Sequence, residues 1–135
     1  MAEHRSSSMR SALRTVSGMG SARDGTAHWW AQRLSAVALV PLSLWMLIAL
    51  LTLPDLGYAD VRGWLARPVD GFFAALCVAT LAYHSWLGTT VIAEDYVHGR
   101  SAKLITLVAL RFAHLLVGAA GIFAILRLTT GILGS

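Results

Sequence analysis

Charge is what this chain has least of. Among its 135 residues only 13% are Asp, Glu, Lys or Arg, against 56% hydrophobic, and the mean hydropathy is +0.63. A water-soluble domain carries about 25% charged residues, so this chain has too little polar surface to enclose a core in water. Cysteine occurs once, as Cys77 inside an apolar run. That excludes an internal disulfide and a cysteine-built metal site, and leaves Cys77 as a small buried helix residue. Acids are fewer than bases, 7 against 11, giving a net charge of +4 and a pI near 10.0. The bases gather near the N-terminus and in one loop, without the interleaved aromatics of a nucleic-acid groove. They therefore report membrane orientation and argue against nucleic acid as a partner. The first 25 residues lack the apolar stretch of a secretory signal. There is no internal repeat and no low-complexity tract beyond Ser6-Ser7-Ser8.

What the chain does have is three apolar runs, each long enough to cross a bilayer core of about 30 Å at 1.5 Å per residue. The expected architecture is an all-α membrane protein of one domain. Residues 1–28 form an N-terminal segment, 29–53 the first span, 54–68 a loop, 69–95 the second span, 96–102 a second loop, 103–129 the third span and 130–135 a C-terminal tail. Trp29, Trp30 and Trp64 suit the headgroup interface. Pro41 lies inside the first span and can kink it, and a short helix around 61–65 fits the first loop. Arg5, Arg10, Arg14, Arg23, Arg33, Arg100 and Lys103 mark the N-terminal side and the second loop as cytoplasmic, with the first loop and C-terminus periplasmic. The Arg- and Ser-rich start reads as a segment on anionic headgroups or a soluble partner, with a mitochondrial transit peptide as the alternative.

The stretch from Tyr83 to Arg100 organises the rest. At about 100° per residue His84 and Asp95 share a face, three turns and roughly 16 Å apart, with Gly88 and Val91 between them. An ionisable side chain as deep as His84 is costly and needs a partner. Either it hydrogen-bonds a neighbouring helix, or it binds haem iron, which imidazole suits, with Gly88 leaving room for the porphyrin. His114 lies about as far beyond the second loop as His84 lies before it. The sequence permits both to bind one haem, His114 to meet a haem propionate, or His114 merely to pack. Arg111, one turn nearer the cytoplasm, can neutralise a propionate or make an inter-helix contact. Arg33 can snorkel outward or turn inward to a cofactor or substrate. At the boundary, a Tyr96 hydroxyl can donate to a quinone carbonyl with Asp95 beside it, or the pair can simply end a helix. Arg111, His114, Gly118, Gly121 and Ile125 form a stripe that lets another helix come close.

Taken together, His84, Gly88 and Asp95-Tyr96 after a long apolar helix resemble the small hydrophobic D-type anchor of succinate dehydrogenase (respiratory complex II). The stretch Gly20-Ser21-Ala22-Arg23-Asp24-Gly25-Thr26-Ala27-His28-Trp29-Trp30-Ala31-Gln32-Arg33-Leu34-Ser35-Ala36 is similar to the start of that subunit in alphaproteobacteria. The likeness runs from about Gly20 to Gly121. It implies three transmembrane helices forming half of a two-subunit haem-binding anchor bundle in the bacterial inner membrane. The partners it implies are a second anchor (the cytochrome b subunit), an iron–sulfur subunit and a flavoprotein subunit on the cytoplasmic face. It implies that His84 is one axial ligand of haem b, the companion anchor giving the other, and that Tyr96 hydrogen-bonds ubiquinone with Asp95 in support. It places Arg33 near polar groups around quinone and propionates, and assigns nothing to Arg111 or His114. A fumarate reductase anchor could use the same helices in the opposite direction. A small transporter or assembly factor, with His84 and Arg111 as a proton or ion relay, is the reading from another class.

Overall fold

The computed structural model describes residues 20–130, with side chains from residue 25 onward. The expected N-terminal segment up to residue 19 and the tail from residue 131 lie outside the described residues. Four helices follow one another: α1 (Gly20–Leu51), α2 (Tyr58–Leu65), α3 (Pro68–Tyr96) and α4 (Arg100–Thr130). Among the described residues three helices are long and apolar enough to cross a membrane: Gly25–Leu51, Pro68–Tyr96 and Arg100–Thr130. Their mean hydropathies are 2.4, 1.3 and 1.9. The most polar span, α3, is the middle of the bundle, packed by α1 on one side and α4 on the other. Its hydroxyls are largely turned back onto its own carbonyls: Thr80 bonds Leu76, Thr89 bonds Ser85 and Thr90 bonds Trp86. This is how a span carries threonines without presenting free donors to lipid.

α1 begins at Gly20, earlier than Trp29 where the first span was expected, because no proline interrupts the residues before it. It continues as helix through Pro41. Residues 52–57, with Pro54 and Gly57, end it. α2 then occupies most of the first connection, and Trp64 on it turns inward rather than facing headgroups. Trp64 is 5% exposed and packs with Ala74 and Ile125, its ring 5.8 Å from that of Trp45. A ring of that size buries a large apolar area among the three spans, and burying it outweighs an interface site. α3 starts with Pro68 at its first turn, where the missing N–H costs nothing, and Asp70 there pairs with Arg67 at 3.5 Å.

α4 meets α3 through the stripe seen in the sequence. A Cβ on Gly118 would lie 3.1 Å from the Ala82 Cβ, and one on Gly121 2.9 Å from Val78 Cγ1. The glycines therefore serve close approach of two helices of the same chain. The second connection shrinks from the expected 96–102 to residues 97–99, since Arg100 to Ala102 already join α4. Along α1 and α3 Ser35 meets His84 and Trp45 meets Phe73, and along α3 and α4 Ser85 meets His114 and Val78 meets Gly121. Both helix pairs are thus antiparallel, and the start of α1 shares an end of the bundle with residues 97–99.

Candidate functional site

His84 projects from α3 toward α1 and is half-buried. Its Nδ1 lies 2.9 Å from Ser35 Oγ and its Nε2 3.4 Å from Gln32 Nε2. Ser35 is 6% exposed, the only buried polar or charged side chain among the described residues, and its Oγ also lies 3.1 Å from the Gln32 carbonyl oxygen. Gln32 and Ser35 are three residues apart on one face of α1, and His28 is one turn before them. Gln32 Oε1 and His28 Nε2 are buried without a hydrogen-bond partner among the described residues. One turn along α3, a Cβ on Gly88 would touch only Gln32 Nε2, at 3.5 Å. That is an ordinary contact, so the packing of this chain does not itself require glycine there.

His114 stands on the other side of α3. Its Nδ1–H donates to the Leu110 carbonyl at 2.8 Å, the usual back-bond to the preceding turn, and its Nε2 accepts from Ser85 Oγ at 3.1 Å. Both ring nitrogens are thus engaged within the chain, and the structure does not bring His84 and His114 to one point. Arg111, one turn away, is exposed and lays its guanidinium 5.6 Å from the Trp86 ring centroid. With Tyr83, Trp86, His114 and Gly118 it lines a groove of about 430 Å³ between α3 and α4. A second groove, of about 490 Å³ between α1 and α3, is lined by Leu34, Ser35, Thr80 and Tyr83. Tyr83 and Ala79 border both.

Asp95 and Tyr96 close α3 at the end shared with the start of α1. Their backbone is fixed by the short connection, which satisfies the carbonyls a helix end leaves open. Val97 N–H bonds the Ala93 carbonyl, Lys103 Nζ donates to the Glu94 carbonyl at 2.7 Å, and His98 Nδ1–H donates to the Tyr96 carbonyl at 3.0 Å. Their side chains are left free: Tyr96 is 78% exposed, Asp95 is exposed, and neither has a side-chain partner among the described residues. A phenol and a carboxylate held side by side at the rim of a membrane span can donate to and exchange protons with a ligand that is itself largely apolar. Arg33 is exposed and stacks on Trp29 at 5.4 Å from the ring centroid.

Among the described residues no three His, Cys, Asp or Glu side chains converge as a metal cluster. A haem asks less of one chain: a single axial nitrogen and room beside it. His84 offers a ring held from behind through Nδ1, with Nε2 facing only the amide of Gln32, and Gly88 supplies a face without a side chain. The donor set fits. Gln32, Ser35, Tyr83 and Trp86 carry no role in the reading from sequence. The readable signal was the polar spacing of His28, Gln32 and Ser35 on one face of α1.

The sequence matches the family described as Succinate dehydrogenase/Fumarate reductase transmembrane subunit over residues 7–118. Similar proteins include the succinate dehydrogenase hydrophobic membrane anchor subunit of Rickettsia bellii (strain RML369-C), 32% identical over 106 residues, or 78% of this chain and 85% of the relative. The subunit of the same name in Paracoccus denitrificans is 30% identical over 118 residues, 87% of this chain and 91% of the relative. The succinate dehydrogenase membrane anchor subunit of Reclinomonas americana is 29% identical over 92 residues, 66% and 77% of the two chains.

Proposed function

This chain belongs to the succinate dehydrogenase/fumarate reductase transmembrane subunit family, and from that premise we propose that it helps bind haem b and ubiquinone at the membrane so that electrons from succinate reduce the quinone. It is a multi-pass membrane anchor of an enzyme complex. Its partners, on this reading, are a second anchor of the cytochrome b type, an iron–sulfur subunit and a flavoprotein subunit. The chain lies in the bacterial inner membrane with its N-terminus in the cytoplasm.

One observation carries the reading. His84 is held from behind by Ser35, the one buried polar side chain among the described residues, three turns below the unpartnered Asp95-Tyr96 on the same helix. His84 would give haem b one axial nitrogen, the companion anchor the other. When bound there, the haem supplies a one-electron carrier inside the low-dielectric span. Tyr96 donates its hydroxyl proton to a quinone carbonyl. Asp95, next to it and open to water, orients the head group and moves protons to it. Arg33 and Arg111, both exposed cations stacked on tryptophans, supply charge for a propionate or the quinone head group. His114, bonded at both nitrogens within the chain, stands next to Arg111 as a packing residue. The names of the relatives favour succinate oxidation over fumarate reduction.

The test is a dithionite-reduced minus oxidised spectrum of the purified complex, wild type beside His84→Ala. A b-type band that is lost or weakened in the variant supports the reading. A wild-type complex without the band, or a band unchanged in the variant, overturns the assignment of haem to His84.

A further inference from the structure

We propose that Ser35 is a positioning residue for His84. Its hydroxyl keeps the ring proton on Nδ1, leaves Nε2 as the metal-binding nitrogen, and strengthens that nitrogen as a donor. The inference rests on the reading of His84 as a haem ligand and adds to it a residue from another helix.

Three contacts meet at this point. Ser35 Oγ is 3.1 Å from the Gln32 carbonyl oxygen and 2.9 Å from His84 Nδ1, and Gln32 Nε2 is 3.4 Å from His84 Nε2. A serine hydroxyl has one proton, and a carbonyl can only accept. The hydroxyl proton therefore goes to Gln32, and the oxygen accepts from the ring, which places the second proton on Nδ1. The opposite tautomer would take the hydroxyl away from the carbonyl. The Gln32 amide can present either its nitrogen or its oxygen to the ring, and its contact is the longest of the three, so the two shorter contacts decide the tautomer. Hydrogen positions follow here from satisfying the network.

Burial raises the cost of leaving this network incomplete. Ser35 is shielded from water, and an unmade hydrogen bond in such a place costs more than one at the surface. A hydroxyl already donating to a carbonyl is a better acceptor, because linked hydrogen bonds polarise one another. Metal-binding histidines characteristically donate their other ring N–H to such an acceptor, which fixes the ring's orientation and raises its basicity. The weak Gln32 contact at Nε2 is the one a metal replaces.

A stronger imidazole donor favours ferric over ferrous iron. In the assembled complex, Ser35→Ala should therefore keep a b-type spectrum but shift the haem midpoint potential to a more positive value. It should also lose haem to excess apomyoglobin faster, by on the order of 10-fold. Ser35→Thr, which retains the hydroxyl, should restore both towards wild type. Potential and haem loss in Ser35→Ala equal to wild type would overturn the proposal. Should Ser35→Ala fail to assemble, Ser35→Cys fills the same space with a weaker acceptor and must shift the potential in the same direction; an unshifted potential there overturns it equally. A wild-type complex with no b-type band refutes the haem reading itself, and this inference with it.

Discussion

Tyr96 gives the sharpest test at the scale of single residues, because its hydroxyl bonds nothing among the described residues and its backbone is held independently by His98. Tyr96→Phe removes one donor without disturbing the helix end. A hydrogen bond is worth about 0.5–1.5 kcal/mol, so quinone reduction should slow by up to about 10-fold while electron flow from succinate to an artificial dye stays normal. Equal loss of both activities would make Tyr96 an assembly residue. The two histidines separate in the same way. His84→Ala should remove or weaken haem, whereas His114→Ala loses the bonds to Ser85 and to the Leu110 carbonyl, about 0.6 kcal/mol for each such contact in a membrane, and should keep the haem-to-flavin ratio of wild type. A b-type band lost in His114→Ala would move the ligand there. His84 was legible in the sequence because an ionisable group so deep demands an explanation. Ser35 and Gln32 were legible only as a polar face of α1, since uncharged polar residues are common in membrane helices and only the three-dimensional register shows which of them faces a histidine.

At the scale of helices, the α3–α4 seam depends on two glycines, and its register can be tested by compensation. Val78 is β-branched and has no cheap alternative rotamer in a helix, so Gly121→Ala sets a methyl 2.9 Å from Val78 Cγ1 with little room to yield. Overpacking of this kind costs about 1–3 kcal/mol, read as a lower Tm of the detergent-purified complex. Adding Val78→Ala should recover most of the loss, and a double variant no better than the single one would mean that the strain lies elsewhere. The three spans and the glycine stripe were legible because length, hydropathy and spacing are properties of the sequence. What the stripe meets was not, since one helix cannot say whether its partner is in the same chain. Trp64 shows the opposite failure. Tryptophan in a polar loop suits an interface, but α2 folds back across the bundle and buries the ring against Trp45, Ala74 and Ile125.

Orientation belongs to the whole molecule, and the described helices alone do not decide it. Arg33, Arg100 and Lys103 lie toward one end of the bundle, while Arg62, Arg67 and Arg127 lie toward the other. The bias comes from Arg5, Arg10, Arg14 and Arg23, which precede the first span in the sequence. Positive charge near a span retains that side in the cytoplasm, and under the proposed function this is the side on which Asp95 and Tyr96 would need access to protons and to soluble partners. Cys77 is buried and is the chain's one cysteine, so Cys77→Ala gives a background for single reporter cysteines. In spheroplasts, a membrane-impermeant maleimide should label Asp60→Cys on α2 and leave Ser101→Cys unlabelled until the membrane is opened. Changing the four N-terminal arginines to Gln should produce a mixed pattern, because the remaining cations balance. Labelling of Ser101→Cys from outside in the otherwise native chain would invert the topology and put Tyr96 on the wrong side of the membrane for a quinone site served from the cytoplasm.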